Sequence, residues 1–238
     1  ITERHEAWGS LARKLAHEIK NPLTPIQLTI DRIKNKFSKD LSSKDKEEFK
    51  DNLKIINNQI KQIEKLVNEF SDFARMPKPV MKKNNLVTLL NDTINLLKEL
   101  DKSIEIKFKN NHDLIELNSD PEQLSRVFFN LIKNSIESIH QKAEKSPDFD
   151  KKISIELNDF DDHIRLIIND NGIGFGVLEK NIKDILNPYF TTKKNGTGLG
   201  LSIVNKIVND HNGNIRFLNI DNGARIEIIF SKKWIPKS

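Results

Sequence analysis

The sequence predicts two domains of different class, an all-α helical hairpin followed by an α+β sandwich. An apolar stripe with helical spacing runs through the first third of the chain, while short strands mixed with helices fill the remainder. Two prolines within MPKPV (76–80) interrupt these patterns, because proline cannot continue a helix. We therefore predict a hairpin over residues 1–76, a linker over 77–81 and a sandwich over 82–238.

The hairpin prediction depends on two amphipathic stripes that repeat at spacings of three and four residues. Residues 38–45 between them are polar and break both stripes, as the loop of a helical hairpin does. Two helices alone cannot bury both stripes, so we predict a homodimer in which a second copy completes a four-helix bundle. The stripes are Leu11, Leu15, Ile19, Leu23, Ile26, Ile30, Ile33 and Phe37, then Phe49, Leu53, Ile56, Ile60, Ile63, Val67 and Phe70.

The hydrophobic spacing changes beyond the linker, where strands and helices mix. Asp120 marks the start of one helix, because its carboxylate can cap the first turn and Pro121 suits the first helical position. A C-terminal hairpin, GNIRFLN–IDNGA–RIEIIF, ends the domain. The other predicted elements are helices at 86–100 and near 199–211, and strands at 103–108, 114–118, 152–157 and 163–170.

Composition excludes several classes of protein. The formal net charge is +5, but the lysines are interleaved with 34 acidic residues, so we expect no nucleic-acid partner. The chain has no cysteine, which excludes disulfides and thiolate metal sites. It contains no run of about 18 apolar residues, so we expect no membrane contact within it. Because it begins at Ile1 without an initiator methionine, we expect a fragment of a longer protein.

His17 is a candidate phosphate acceptor on the first helix. It lies two positions from both Leu15 and Ile19, which places it away from the apolar stripe. An exposed imidazole is largely neutral at pH 7, so a ring nitrogen can attack phosphorus. Glu18 can hold the other ring nitrogen, and Asn21 lies one turn further on, where it can orient a water molecule. The alternative is a surface histidine without a role.

Two prolines follow this histidine inside the predicted helix. The apolar stripe stays in phase on both sides of Pro22 and Pro25, although each interior proline costs about 3 kcal/mol. A kink at this point predicts a hinge beside His17. Alternatively, Asn21 caps a new helix whose first turn contains Pro22.

Three further patterns suit a nucleotide pocket. Asn130 and Asn134 are four residues apart on one helix, so both amides project from the same face and suit Mg²⁺. Asp170 ends a predicted strand before Asn-Gly-Ile-Gly, where a carboxylate can accept a hydrogen bond from an adenine amine; an ordinary turn is the alternative. The glycines of GTGLGL (196–201) lead into a helix, whose first N–H groups can bind phosphate.

Four motifs stand in a fixed order: HEIKNP (17–22), NLIKN (130–134), DNGIG (170–174) and GTGLGL (196–201). This set resembles the cytoplasmic catalytic core of two-component sensor histidine kinases, and HEIKNPLTPIQL is similar to the phosphoacceptor box of the NtrY-like nitrogen-regulation sensors. PYFTTK (188–193) resembles the F-box of the same family. The resemblance implies the Bergerat (GHKL) ATPase fold for the sandwich.

The resemblance also implies a role for each matched residue. His17 is the acceptor, Glu18 its acid/base partner and Asn21 the residue for phosphatase activity. Asn134 ligates Mg²⁺ directly, and Asn130 contacts the metal or its water. Lys193 reaches a phosphate or is a solvated lysine of the lid. The remaining nucleotide-binding positions are Asp170 for adenine, Gly172 and Gly174 beside it, Phe190 and Thr192 in the lid, and Gly196, Thr197, Gly198, Leu199 and Gly200 near the phosphates.

The implied function is ATP-dependent autophosphorylation on histidine, followed by phosphoryl transfer to an aspartate of a response regulator. ATP and Mg²⁺ are the implied cofactors, and an NtrX-like receiver domain is the implied partner, with phosphatase activity toward it. We expect the regulator to dock around Leu23, Thr24, Gln27, Leu28 and Asp31. We expect this part to be cytoplasmic, in a sensor anchored upstream in the inner membrane.

Two other functions remain open at this point. A scaffold of the same fold whose ATP site has decayed would act mainly as a phosphatase, and would not transfer phosphate from ATP. A DNA-repair ATPase clamp would show DNA-stimulated hydrolysis without phosphohistidine, although that class has no acceptor-bearing hairpin.

Overall fold

The computed structural model describes residues 2–37, 43–74, 76–175, 184–187, 190–191 and 197–232. Within its helices, the side chains of residues 2–15, 17, 43–44 and 72–74 lie outside this description. The chain divides into two compact units, one of residues 1–77 with 193–199 and one of residues 78–192 with 200–238. None of the helices that the structure describes is long and apolar enough to cross a bilayer.

The first unit is a pair of long helices, α1 (Thr2–Phe37) and α2 (Ser43–Ala74). A buried cluster of Leu23, Ile30, Leu53 and Ile60 holds them together. These residues recur every seven positions, so one line of each helix meets the other along its length. The predicted helical hairpin is therefore confirmed.

Helix α1 runs through both prolines, so the alternative of a new helix capped by Asn21 is not adopted. Proline has no N–H, and the carbonyls of Glu18 and Asn21 therefore lack the donor that residues 22 and 25 would otherwise provide. The Thr29 hydroxyl donates to the carbonyl of Pro25 at 2.8 Å. Two carbonyls of the predicted acceptor motif are thus left out of the helical ladder.

The two flanks of the α1–α2 contact differ in character. On one flank, Ile19, Ile26, Ile56 and Ile63 are between 41% and 45% exposed. The other flank is a polar groove whose lining includes four lysines, Lys34, Lys50, Lys54 and Lys61, together with Gln27, Asp31, Asp51, Leu53, Asn57 and Asn58. An apolar edge and a cationic edge therefore run along opposite sides of the hairpin.

The second unit contains a five-stranded sheet and a separate two-stranded one. The large sheet has the order β2-β4-β5-β7-β6, in which β2 and β4 are parallel and the other neighbours antiparallel. Strands β1 and β3 form the small antiparallel sheet. The strands are β1 (Lys82–Asn85), β2 (Glu105–Asn110), β3 (Glu116–Ser119), β4 (Lys152–Asp159), β5 (His163–Asp170), β6 (Gly213–Ile220) and β7 (Gly223–Ser231), and the helices are α3 (Leu86–Leu100), α4 (Pro121–Lys145) and α5 (Gly200–Asp210).

Alternating burial explains the two layers of this unit. Inward-facing residues alternate with half-buried ones along β4, β5 and β7, as in a sheet with one covered face. The three helices pack against the strands, α3 on β2, α4 on β5 and α5 on β6. Leu131, Ile132 and Ile139 of α4 are fully buried. The predicted α+β sandwich is therefore confirmed.

A buried histidine connects the ends of two helices. His211, 3% exposed, follows α5 and donates through Nδ1 to the carbonyl of Ile207 at 2.8 Å. Its Nε2 accepts the N–H of Asp120 at 2.9 Å. The Asp120 carboxylate in turn caps α4 by accepting the N–H groups of Glu122 and Gln123. The acceptor role of Nε2 requires a neutral imidazole that carries its proton on Nδ1.

The free energy of unfolding should fall as the pH drops below 6.5. Burial lowers the pKa of His211 beneath its ordinary value of 6.5, so the unfolded chain takes up a proton that the folded domain excludes. Stability is therefore complete above this window and is lost as the pH falls through it. Between pH 7.5 and 5.5 we expect a loss of about 1 kcal/mol, measured by urea unfolding with circular dichroism.

The control for this experiment is His211→Gln, whose side chain does not titrate. The variant should be less stable than the wild type at both pH values, yet its stability should change little between them. An equal pH-dependent loss in the variant would assign the effect to other groups.

Candidate nucleotide site and acceptor helix

The predicted acceptor motif lies in the middle of α1. Glu18 and Asn21 are exposed, whereas Ala16 is buried and Leu23 is buried against α2. The side chain of His17 lies outside the described residues, so its outward orientation stays a prediction. The exposed neighbours show that a partner can approach this turn of the helix in the isolated hairpin.

Asp170 ends β5 in a buried position, 5% exposed. Its Oδ1 accepts the N–H of Gly172 at 3.0 Å. Burial raises the pKa of this carboxyl, although the Gly172 N–H and the nearby Ser135 hydroxyl oppose the rise. Ser135 of α4 is itself buried, and its hydroxyl lies beside the Asp170 carboxylate. A buried carboxylate and a buried hydroxyl are thus brought together at the end of β5.

The loop after Asp170 packs directly on α4. A Cβ added to Gly172 would lie 2.2 Å from Ser138 Oγ and 2.8 Å from the backbone nitrogen of Ile139, so only glycine fits. The Ser138 hydroxyl accepts the N–H of Ile173 at 3.0 Å. Gly174 adopts a φ of +74°, which favours glycine. The DNGIG segment is therefore fixed in shape by close backbone approach.

Three more side chains hold this loop. Lys142 of α4 donates to the carbonyl of Asn171 at 2.8 Å. Asn171 donates to the Asp150 carbonyl and accepts the N–H of Lys152 at 3.0 Å, which ties the loop to the start of β4. Asn219 of β6 accepts the N–H of Phe175 at 3.0 Å. The loop is therefore bound to α4, β4 and β6.

The two predicted metal ligands lie on the same helix as these loop contacts. Asn130, Asn134, Ser138 and Lys142 occur at intervals of four along α4, and all four are half-buried. Sequence reading identified the first two and missed Ser138 and Lys142, although the spacing of four was visible. Among the described residues, no cluster of three or more His, Cys, Asp or Glu side chains is placed to hold a metal. A metal bound at this helix would therefore be held by the amide oxygens of Asn130 and Asn134 and by ligands outside any such cluster.

The predicted phosphate segment is described from Thr197 onward. Gly198 has a φ of +71°, Leu199 is fully buried, and α5 begins at Gly200. A Cβ added to Gly200 would meet no atom within 4 Å, so protein packing does not demand glycine there. Phe190 is half-buried and donates its N–H to the carbonyl of Asn187 at 3.2 Å. Thr192, Lys193 and Gly196 lie outside the described residues.

Comparison with known proteins agrees with this geometry. Residues 7–79 match the family model for the "His Kinase A (phospho-acceptor) domain". Residues 119–233 match the model for the "Histidine kinase-, DNA gyrase B-, and HSP90-like ATPase". The chain belongs to the sensor histidine kinases. The order of the two matches is the order of the acceptor helix and the candidate nucleotide site.

Curated relatives of this kinase core are similar over nearly its whole length. It is 39% identical over 234 residues to the "Putative sensor histidine kinase NtrY-like" of Rickettsia felis. The alignment covers 98% of this chain and 37% of that relative. It is 36% identical over 233 residues to the nitrogen regulation protein NtrY of Azorhizobium caulinodans, covering 93% of this chain and 28% of that protein. The chain thus spans 37% of the length of the first relative and 28% of the length of the second.

Solved structures of another family member have a similar fold. The histidine kinase ThkA, solved in complex with the response regulator protein TrrA, aligns with a TM-score of 0.66 at 27% identity. That alignment covers 98% of this chain and 64% of ThkA. The catalytic domain of ThkA alone aligns with a TM-score of 0.56 at 28% identity, covering 64% of this chain and 95% of that domain.

In this kinase core, Gly200→Ala should weaken nucleotide binding without destabilising the fold. Alanine is a better helix former than glycine, and its Cβ would enter open space. That space lies where the first N–H groups of α5 would meet a phosphate. We expect at least a roughly tenfold loss of ADP affinity by calorimetry and an unchanged unfolding midpoint. Wild-type affinity in this variant would show that phosphate does not approach Gly200.

Proposed function

We propose that this chain is the catalytic core of a sensor kinase that transfers the γ-phosphoryl group of ATP to His17 and then to an aspartate of a response regulator. Residues 1–76 would form the dimerisation and phosphotransfer hairpin, 77–81 the linker and 82–238 the ATP-binding domain. The observation that carries the proposal is the buried Asp170 beside a glycine loop, attached to the helix that presents Asn130 and Asn134.

Asp170 and its surroundings fit an adenine. A carboxylate held in place by the N–H of Gly172 can accept a hydrogen bond from the exocyclic amine. The Ser135 hydroxyl lies beside this carboxylate and could hold a bound water next to the base. Gly172 lets the loop pack closely on α4, which helps to hold the Asp170 carboxylate in place.

The opposite end of the nucleotide would lie where α5 begins. The N–H groups of a helix start attract anions, and Gly200 leaves space for phosphate oxygens. Gly196, Thr197, Gly198 and Leu199 precede this turn in the sequence, and Phe190, Thr192 and Lys193 are the remaining proposed nucleotide contacts. Mg²⁺, when bound, would neutralise the phosphates, with Asn134 as direct ligand and Asn130 on the metal or its water.

His17 would be the nucleophile. A ring nitrogen forms a bond to the γ-phosphorus as the bond to the bridging oxygen breaks, and ADP leaves with that electron pair. Glu18 would hold the proton on the other ring nitrogen and stabilise its developing positive charge. For the phosphatase activity, Asn21 would orient a water molecule against the phosphorylated regulator.

The apolar flank of the hairpin supports the homodimer. Ile19, Ile26, Ile56 and Ile63 are exposed on one side of the α1–α2 contact, and a second hairpin would cover them. Burying apolar surface stabilises association by roughly 25 cal/mol per Å². The four-helix bundle predicted from the stripes is the arrangement that removes this exposure.

The cationic flank supports a docking site for the regulator. Gln27 and Asp31 of the expected docking patch line this groove with the four lysines, and Thr24 and Leu28 of the patch are exposed. Leu23, the fifth residue expected there, is buried in the α1–α2 cluster and is therefore not part of the surface. The solved structure of ThkA contains the response regulator protein TrrA, and this complex is a property of ThkA. For this chain we propose an NtrX-like receiver domain as the partner, with complementary acidic side chains.

Incubation with γ-labelled ATP and Mg²⁺ tests the proposed activity. We expect a label that is stable to base and lost in acid, located on the single peptide that contains His17. Adding a receiver domain should move the label to its aspartate. A His17→Gln variant should bind ADP as the wild type does and take up no label.

The variants Glu18→Gln and Asn21→Ala separate the kinase activity from the phosphatase activity. Loss of Glu18 should slow labelling of His17, while loss of Asn21 should spare labelling and slow dephosphorylation of the regulator. A wild-type protein that neither binds ADP nor labels His17 would overturn the kinase proposal and favour the scaffold with a decayed ATP site. Labelling at another residue would overturn the assignment of the acceptor.

A further inference from the structure

A hydrogen bond from the Val80 backbone to a side chain attaches the end of the linker to the nucleotide domain. The N–H of Val80 donates to Oδ2 of Asp120 at 2.8 Å. The Val80 side chain is 72% exposed, so its backbone rather than its side chain makes the contact. From Lys82 onward, β1 pairs with β3, with Lys82 opposite Ser119. The hydrogen bond therefore fixes the chain two residues before the sheet begins.

Asp120 forms more hydrogen bonds than its role as the N-cap of α4 requires. It is buried, and its carboxylate accepts the N–H groups of Glu122 and Gln123 as well as that of Val80. Its own N–H donates to Nε2 of His211. Burial acts to raise the pKa of Asp120, but these backbone hydrogen bonds hold the pKa below its ordinary value. The carboxylate thus remains charged and occupied on both oxygens.

This cluster connects the two helices that carry the nucleotide site. Asp120 begins α4, which presents Asn130 and Asn134, and His211 ends α5, which starts at Gly200. The cluster lies at the far end of α5 from Gly200, so it does not line the nucleotide site. Its third connection, to Val80, leads away from the site into the linker.

We propose that Asp120 and the Val80 N–H form a latch that positions the linker for phosphoryl transfer. This inference rests on the proposed kinase function. Residues 76–79 contain two prolines, which stiffen the segment between α2 and the latch. With Val80 bound, the stiff segment leaves the nucleotide domain in one direction. Asp120 is thus a positioning residue for the transfer to His17, acting through the linker rather than through ATP.

The pair Val80→Pro and Val80→Ala tests the latch. Proline at position 80 removes the N–H donor and leaves the Asp120 cap of α4 intact, whereas alanine keeps the donor. In the full chain with Mg²⁺ and saturating ATP, the rate of His17 labelling should fall about fivefold in Val80→Pro and stay at the wild-type value in Val80→Ala. The ADP dissociation constant should stay within about twofold of wild type in both.

A second variant protects the test against misfolding. In Asp120→Asn, the side-chain oxygen can still cap α4, but the amide NH₂ meets the Val80 N–H as donor against donor. This variant should also transfer phosphate to His17 more slowly while its ADP affinity stays unchanged. A wild-type rate in Val80→Pro would overturn the latch. A parallel fall of rate and ADP affinity in both variants would also overturn it, because the cluster would then only support the fold.

The latch and the kinase proposal fail differently. If the wild-type chain forms no phosphohistidine, the proposed function is wrong. If the wild type labels His17 and Val80→Pro does so equally fast, only the latch is wrong.

Discussion

Replacing Gly223 with alanine should unfold the nucleotide domain or lower its free energy of unfolding by about 3 kcal/mol or more. Gly223 starts β7 with a φ of +125°, a conformation that side-chain-bearing residues rarely adopt. An added Cβ would lie 1.9 Å from the carbonyl oxygen of Asp170 and 2.8 Å from the Cα of Asn171. Both are backbone atoms, so β5 and β7 would have to separate. Urea unfolding and hydrogen exchange of the β5 amides measure the loss.

Gly200→Ala is the matched control for this substitution. It adds the same methyl group to the same domain at a position with no atom within 4 Å. Its unfolding midpoint should equal that of the wild type, while Gly223→Ala should expose the β5 amides to rapid exchange. Equal stability of the two variants would mean that β7 can move away from Asp170 without cost.

Asp170→Asn should reduce ADP affinity about 100-fold, or about 2.7 kcal/mol. The Asp170 carboxylate accepts the Gly172 N–H and, in our proposal, the amine of adenine. The asparagine NH₂ would turn one of these acceptors into a donor that faces another donor. The free energy of unfolding should change much less, because the side chain keeps its size. Calorimetry with ADP and urea unfolding give the two numbers.

The exposed Asp161 offers a control of the same chemistry, and Asp161→Asn should leave ADP affinity unchanged. Because burial raises the pKa of Asp170, wild-type affinity should also weaken as the pH falls toward that pKa and the carboxyl takes up a proton. Tight, pH-independent binding by Asp170→Asn would remove Asp170 from the adenine site.

Local patterns were sufficient to predict most of the fold. Helix α3 has the predicted bounds because its buried residues repeat with helical spacing. Strand β5 also has the predicted bounds, since its side chains alternate between buried and half-buried. Strand β2 begins two residues later than predicted because Asp101 accepts the N–H and hydroxyl of Ser103 and forms a turn there. Side-chain turns of this kind interrupt a strand pattern without changing its composition.

The side chains that support the candidate site were harder to predict. Ser138 contacts a residue 35 positions away, Lys142 one 29 away and Asn219 one 44 away. Their roles depend on how β5, α4 and β6 come together, which no single segment encodes. Asp170 and Gly172 were accessible to sequence reading because both belong to one short motif, whose shape depends largely on its own glycines.

The opposite edges of the hairpin have a consequence for how such proteins diversify. In our proposal, the apolar edge keeps like chains together while the lysine-lined groove selects the unlike partner, and the two surfaces share almost no residues. A duplicated copy could thus acquire a new signalling route by substitutions along one side alone. Insulation between parallel pathways would then be decided within a few turns of α1 and α2, and the ATP-handling half could remain unaltered.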